Sequence, residues 1–221
     1  MWFMNGLTIS AVGFPGGVSS EWQIEEVGDV NGDGKADILW RNTTSGVVAI
    51  WLMNGTIVSP RFLGGVPAAW QIEGLGDVNS DGKADVIWQN TTSGTVAVWL
   101  MNGLTIASVG FPGSTSTHWK IEGVGDFNGD GKADLIWKND TSDIVVIWLL
   151  NEASIASSGV LGGLASAWEI EQVGDTNGDG KADVVLKNTT TGDAKVCLMN
   201  GVNVIGIGSP GMVSTDWEIQ P

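Results

Sequence analysis

The stretch Asp29-Val30-Asn31-Gly32-Asp33-Gly34-Lys35-Ala36-Asp37 decides how the rest of the chain is read, because close copies of it begin at Asp77, Asp126 and Asp175. Asp, Asn and Asp at loop positions 1, 3 and 5, with Asp at 9, set hard oxygen donors on one side of a tight turn, which is the chemistry Ca²⁺ requires. Gly at position 6 allows the sharp bend. Position 7 is Lys in every copy and can offer only its backbone carbonyl, since an ammonium group repels the ion. Asn, Asp and Gly are also ordinary turn residues, so four metal-free acidic turns are the alternative. Against it, three carboxylates within nine residues repel one another, and four such loops call for a neutralising charge.

Outward from the loop, a longer period appears. Trp22, Trp70, Trp119, Trp168 and Trp217 mark repeats spaced 48, 49, 49 and 49 residues apart. Each repeat opens with Trp-x-Ile-Glu and a short apolar run that reads as a strand ending at Gly-Asp. After the loop, Ala36-Asp37-Ile38-Leu39-Trp40 is rich in β-formers and closes on the polar turn Asn42-Thr43-Thr44-Ser45-Gly46. Val47 to Met53 is a third, wholly apolar strand stopped by Asn54-Gly55, a strong hairpin signal. Thr56-Ile57-Val58-Ser59 predicts a short fourth strand. A Gly-, Pro- and Ser-rich connector, Pro60 to Ala69, leads to the next repeat.

Four short antiparallel strands in each repeat, with no capped helical segment, predict an all-β chain: a β-propeller of four-stranded blades. A parallel β-solenoid is the alternative, but its rungs are shorter and Asn-Gly turns require hairpins. The blades are predicted at 22–69, 70–118, 119–167 and 168–216. Residues 1–21 align with the last two strands of a further blade and 217–221 with its first strand, leaving a split, partial fifth blade without a loop. Either the ring closes on that defective blade, or the chain is part of a longer array, or ends of neighbouring chains complement one another through sticky strand edges.

Charge narrows the function classes. The net charge is −15, with only 10 Lys and Arg, and four divalent ions would bring it to about −7. Such a surface lacks the basic footprint that phosphate backbones need, which argues against nucleic acid as a partner. No run of apolar residues is long enough for a membrane span, and no signal peptide is visible. The single cysteine, Cys197, holds the phase of Trp2, Trp51, Trp99 and Trp148 and reads as a small buried hydrophobe.

The run Gly-Asp-x-Asn-Gly-Asp-Gly-Lys-Ala-Asp between two apolar strands resembles the FG-GAP or VCBS repeats, seen in integrin α-subunit propellers and in many secreted bacterial proteins. The resemblance covers four repeats. It implies Ca²⁺ ligation by Asp29, Asn31, Asp33, Lys35 and Asp37 in the first loop, and by Asp77, Asn79, Asp81, Lys83 and Asp85 in the second. The third set would be Asp126, Asn128, Asp130, Lys132 and Asp134, and the fourth Asp175, Asn177, Asp179, Lys181 and Asp183. Lysines enter these sets through their carbonyls, and about four ions are implied. An EF-hand would need Glu at position 12, where Trp40 stands, and a dockerin-like loop would continue into a helix. The family's Phe-Gly and Gly-Ala-Pro signatures are absent. Calcium loops of this kind imply an extracellular or cell-surface setting, where the ion is abundant.

The twelve Trp, with no Tyr, fall on three phases, represented by Trp22, Trp40 and Trp51. One large aromatic per blade at a fixed phase is what inter-blade packing requires. Some propellers similar to this one are lectins, and the first-phase Trp22, Trp70, Trp119, Trp168 and Trp217, each following a polar connector, are the candidate sugar platform. Blade 4 departs from the pattern, with Leu186 and Cys197 in place of the second and third Trp, and is expected to pack more loosely. Asn42, Asn90, Asn139 and Asn188 begin glycosylation-like triplets that hairpin chemistry alone explains. The only histidine, His118, has no identifiable catalytic partner in the sequence, so an enzyme is not expected. Two function classes remain: a binding module for glycan or protein ligands, and a structural subunit that assembles head to tail into rings or filaments.

Overall fold

A computed structural model describes residues 2–5, 8–13 and 16–216; Trp217 and the final strand expected there lie outside the described residues. Among them every regular element is a strand. β1 (Trp2–Asn5) and β2 (Thr8–Val12) form a two-stranded sheet. Four antiparallel four-stranded meanders follow. Blade 1 comprises β3 (Trp22–Gly28), β4 (Asp37–Asn42), β5 (Val47–Asn54) and β6 (Thr56–Gly65). Blade 2 comprises β7 (Trp70–Gly76), β8 (Asp85–Asn90), β9 (Thr95–Asn102) and β10 (Thr105–Ser114). Blade 3 comprises β11 (Trp119–Gly125), β12 (Asp134–Asn139), β13 (Ile144–Asn151) and β14 (Ser154–Gly163). Blade 4 comprises β15 (Trp168–Gly174), β16 (Asp183–Asn188), β17 (Asp193–Asn200) and β18 (Asn203–Met212). These are propeller-like blades, each hydrogen-bonded within itself, and they meet in sequence through their first strands. The fourth strand is ten residues long in every blade, running well into what the sequence suggested was connector.

The middle strands are apolar on both faces because, among the described residues, blades 2 and 3 are each sandwiched between two others and blades 1 and 4 each pack on one neighbour. Leu39, Val48 and Ile50 of blade 1 pack against Val86, Trp88 and Ala97 of blade 2. Ile87, Val96 and Val98 of blade 2 meet Leu135 and Trp137 of blade 3. Ile136, Val145 and Ile147 of blade 3 meet Val184, Leu186 and Cys197 of blade 4. The tryptophan faces of blades 2 and 3 therefore close on the aliphatic face of the blade before each. Trp88 and Trp137 are each 1% exposed as a result, whereas Trp40 on blade 1 is only half-buried. On that face the second- and third-phase Trp pack as tilted pairs, with centroids 4.8 Å apart for Trp40 and Trp51 and 4.7 Å for both Trp88–Trp99 and Trp137–Trp148.

Glycine sets the spacing between blades at the end of the first strand. A Cβ on Gly76 would lie 2.5 Å from the Cβ of Ala133, and one on Gly125 would lie 2.8 Å from that of Ala182. Only glycine lets these neighbours approach so closely. Gly174, the same position in blade 4, has nothing within 4 Å. Turns show the complementary pattern. Gly55, Gly103 and Gly201 take positive φ at the hairpin between the third and fourth strands, and blade 3 sets Glu152 there at φ 57°.

Candidate functional site

The acidic loops join the first and second strands of each blade, and their carboxylates are organised by the loop's own backbone. Asp29 Oδ1 accepts the N–H groups of Asn31, Gly32 and Asp33, and its Oδ2 accepts that of Gly34 at 2.7 Å. Asn31 Oδ1 accepts the N–H of Asp33, and Asp33 Oδ1 that of Lys35, each at 2.9 Å. Position 9 is different. Asp37, Asp85, Asp134 and Asp183 are buried, and each bridges two elements. Asp85 Oδ2 takes the N–H of Val78 at 3.1 Å from its own loop, and Oδ1 takes that of Met101 at 2.7 Å from the third strand. Asp134 does the same with Phe127 and Leu150. In blade 4 the Thr176 hydroxyl adds a bond of 2.6 Å to Asp183.

Electrostatics separates the two roles. Burial pushes Asp29 up, but the N–H groups of Gly34, Gly32, Asp33 and Asn31 outweigh it and hold the carboxyl below its usual range. Asp85 is pushed up to about 6 and Asp134 to about 7, first by burial and further by the loop's other aspartates, against the pull of their backbone donors. A buried anion beside two more anions is the arrangement a divalent cation relieves. Among the described residues, no three His, Cys, Asp or Glu side chains draw together as they do around a bound ion. The donor set at positions 1, 3, 5, 7 and 9 nonetheless has the hard-oxygen chemistry and the charge that Ca²⁺ requires.

The loops also fasten blade to blade. The carbonyl of Asp29 accepts the Ala84 N–H at 2.7 Å, and that of Val30 accepts the Gly103 N–H at 3.0 Å. Asp77 and Val78 receive Ala133 and Glu152 in the same way, and Asp126 and Phe127 receive Ala182 and Gly201. Val30, Val78 and Phe127 are buried beneath the following blade, while the equivalent Thr176 is exposed. A parallel set of ties comes from the second strands. The Arg41 guanidinium donates to the carbonyls of Trp70, Val66 and Pro67, the Gln89 amide to Trp119 and the Lys138 ammonium to Trp168.

The first-phase Trp22, Trp70, Trp119 and Trp168 are half-buried. Trp70, Trp119 and Trp168 pack against the inter-blade clusters. Trp22 lies 5.9 Å from Phe62 and Trp70 lies 6.5 Å from Phe111, both on exposed outer strands. Asn42, Asn90, Asn139 and Asn188 each accept two turn N–H groups through Oδ1, as hairpin chemistry requires. Cys197 is buried, and burial pushes its thiol up, away from nucleophilic character. His118 does have a partner: Nδ1 lies 2.9 Å from Asp140 Oδ1 and 3.1 Å from the Thr141 hydroxyl. That group sits on an exposed turn.

Two features went unread in the sequence. Every first strand carries a β-bulge at the Glu of Trp-x-Ile-Glu, so Glu25, Glu73, Glu122 and Glu171 are skipped in the pairing with the second strand. A bulge re-aims its side chain. Burial, reinforced by Glu122 and opposed by Lys120, pushes Glu73 up to about 7. The recurrence of that Glu at one phase was the available signal. The second feature is a polar cleft of about 480 Å³ between blades 1 and 2, walled by Gln23, Glu25, Arg41, Gln71, the turn Thr43–Gly46 and the connector Val66–Ala68.

Comparison with known proteins points the same way. The FG-GAP-like repeat matches three times, at residues 29–88, 77–137 and 126–186, each match running from an acidic loop into the next blade. Among solved structures, the Tc holotoxin pore of Photorhabdus luminescens aligns with a TM-score of 0.56 at 15% identity, over 86% of this chain and 10% of that one. A rhamnogalacturonan lyase, YesW, aligns with a TM-score of 0.44 at 15% identity, over 90% of this chain and 51% of that one. The chain thus spans a tenth of the first and about half of the second, and the toxin likeness is one of fold. No curated protein matches the chain. The repeated loop, the strands on either side of it and the blades they build are what the three repeat matches cover, and on those matches the chain belongs to the FG-GAP-like repeat family.

Proposed function

We propose that this chain is a non-enzymatic, calcium-stabilised binding module that works outside the cell and takes a glycan or a protein ligand at its inter-blade surface. The observation that carries the reading is the cleft between blades 1 and 2, where amides, a guanidinium, a carboxylate and turn hydroxyls offer donors and acceptors together. That mixture suits a hydroxyl-rich ligand. It holds no nucleophile and base in hydrogen-bond reach. The half-exposed Trp22 and Trp70 stand at the starts of the strands that bear Gln23 and Gln71 and would supply ring faces; Trp119 and Trp168 occupy the same phase farther along the array.

In this reading the loops hold Ca²⁺ through the side chains at positions 1, 3, 5 and 9 and the carbonyl at position 7. The ion would neutralise the buried aspartate at position 9. Because the same loops tie each blade to the next, ion binding would stiffen the clefts. Glycan-array screening followed by calorimetry tests the proposal. Binding that requires Ca²⁺ and falls at least tenfold in Gln71→Ala supports it. A calcium-replete protein that binds no glycan and enriches no protein partner sinks it.

A second reading has its own observation. The tryptophan face of blade 1, with a recess of about 90 Å³ among Val18, Trp22, Trp40, Ala49, Trp51 and Phe62, is the face that blades 2 and 3 bury against a preceding blade. Ile24, Val27 and Phe62 are exposed there. Head-to-tail assembly would cover them. Mass measurement by light scattering decides: rings or filaments favour assembly, and a clean monomer at high concentration removes it.

A further inference from the structure

Blade 4 breaks the aromatic pattern, and the space left behind is a cavity. At the first two junctions a Trp pair fills the gap between sheets: Trp88 with Trp99, and Trp137 with Trp148. At the third junction Leu186 and Cys197 hold those positions, and a cavity of about 240 Å³ opens between blades 3 and 4. Its walls are aliphatic, with Ile136, Val145 and Leu161 facing Leu186 and Cys197. Side chains have not grown to refill it, and Gly162 and Gly163 on its wall would meet nothing within 4 Å if they carried a Cβ. An apolar cavity of about 150 Å³ stays dry and takes up benzene, so this one is large enough for a fused aromatic ring system.

The mouth is not apolar. Lys195 replaces the Ala49, Ala97 and Val146 of the other blades, directly across the ladder from Leu186. Its Nζ lies 4.2 Å from the centroid of the Trp168 ring. Among the described residues no carboxylate lies within ion-pair distance of it. Ile207, 65% exposed, continues the apolar surface outward.

We propose that the junction of blades 3 and 4 is a binding site for a small aromatic carboxylate. Its ring system would occupy the space vacated by the tryptophans, and its carboxylate would pair with Lys195 over the Trp168 face. This site is separate from the polar cleft and from the metal loops. A partly desolvated ammonium on an aromatic face favours an anion whose body is apolar, because ring burial and the ion pair then act together.

Calorimetry with 2-naphthoate and with neutral naphthalene tests this on the full chain in Ca²⁺. The expected result is saturable naphthoate binding that falls at least tenfold in Leu186→Trp, which restores the missing ring, and at least tenfold in Lys195→Met, which keeps the stem and removes the charge. Naphthalene binding should be weaker than that of naphthoate and unchanged in Lys195→Met. Far-UV circular dichroism confirms that each variant folds, and Cys197→Phe serves as a second filling variant if Leu186→Trp does not. No saturable naphthoate binding, or binding undiminished by a folded filling variant, overturns the site. Naphthalene binding as tight as naphthoate overturns the role of Lys195.

Discussion

Replacing Asp85 with Asn separates the two roles of the position-9 aspartate. The carboxylate satisfies two buried N–H groups, Met101 at 2.7 Å and Val78 at 3.1 Å. An amide has one acceptor oxygen, so one of those donors is stranded, at a cost of about 1–3 kcal/mol. An opposing effect is present when no ion is bound. Burial and the neighbouring Asp77 and Asp81 push Asp85 up from 3.8 to about 6, and at 1.36 kcal/mol per pKa unit, ionising it at pH 8 costs the folded state about 3 kcal/mol. Asn removes that cost. In chelator at pH 8 the gain offsets the loss, and Asp85→Asn leaves stability between unchanged and about 2 kcal/mol above wild type. With Ca²⁺ bound as proposed, the ion would already offset the burial cost, so the variant would lose the N–H acceptor and a ligand together, about 3 kcal/mol or more. The sign with pH follows. A carboxyl whose folded pKa is raised keeps its proton longer in the folded state, so metal-free stability falls as pH rises through about 6 for Asp85 and about 7 for Asp134. On the calcium reading, added Ca²⁺ should flatten that slope. Urea unfolding followed by Trp fluorescence, with wild type and variant in Ca²⁺ and in chelator, gives the double difference. Equal destabilisation in both solutions would refute the calcium assignment. A loss below about 1 kcal/mol in Ca²⁺ would refute the bridging role of the carboxylate.

Three further perturbations probe the scaffold by the same unfolding assay. Gly76→Ala puts a methyl group 2.5 Å from Ala133 and should cost about 1–3 kcal/mol or more, while Gly174→Ala, with nothing within 4 Å, should fall within about 0.5 kcal/mol of wild type or be slightly stabilising; equal losses would contradict first-strand packing as the reason for the glycine. Glu73 is pushed up from 4.5 to about 7, so wild-type stability declines as pH rises through that window, and Glu73→Gln should gain about 1–3 kcal/mol over wild type at pH 8.5 and nothing at pH 4.5. A gain of the same size at both pH values would exclude charge burial as its cause. Arg41→Met keeps the apolar stem but removes the donors to the Trp70, Val66 and Pro67 carbonyls, and should cost about 2–4 kcal/mol; a loss under 1 kcal/mol would mean that those carbonyls are satisfied by water.

What the sequence made legible is local. The loop, the Asn-Thr-Thr and Asn-Gly turns and the first three strands follow from neighbouring residues, and the meander of each blade follows from them, whereas the ten-residue fourth strand runs through a Gly- and Pro-rich stretch that reads locally as connector. Which face of a blade meets which neighbour was not legible, because Ile38-Leu39-Trp40 is apolar at every position and periodicity is silent when both faces are buried. The bulge at Glu25 depends on pairing with the second strand, and the Asp140 partner of His118 lies 22 residues away across a strand pair. Gly76 reads in sequence as the punctuation that ends a strand, yet its constraint comes from Ala133 in the next blade. In an array whose stability is a sum of unit and junction terms, the repeated residues describe the unit and the departures describe the junctions. Thr176 stands for Val30, Val78 and Phe127 where no following blade covers the loop among the described residues. Leu186, Lys195 and Cys197 turn a packed seam into a cavity with a charged mouth. Three junctions built to one plan are therefore not equivalent, and the chemistry peculiar to this chain is concentrated where blade 4 leaves the pattern that the other three keep.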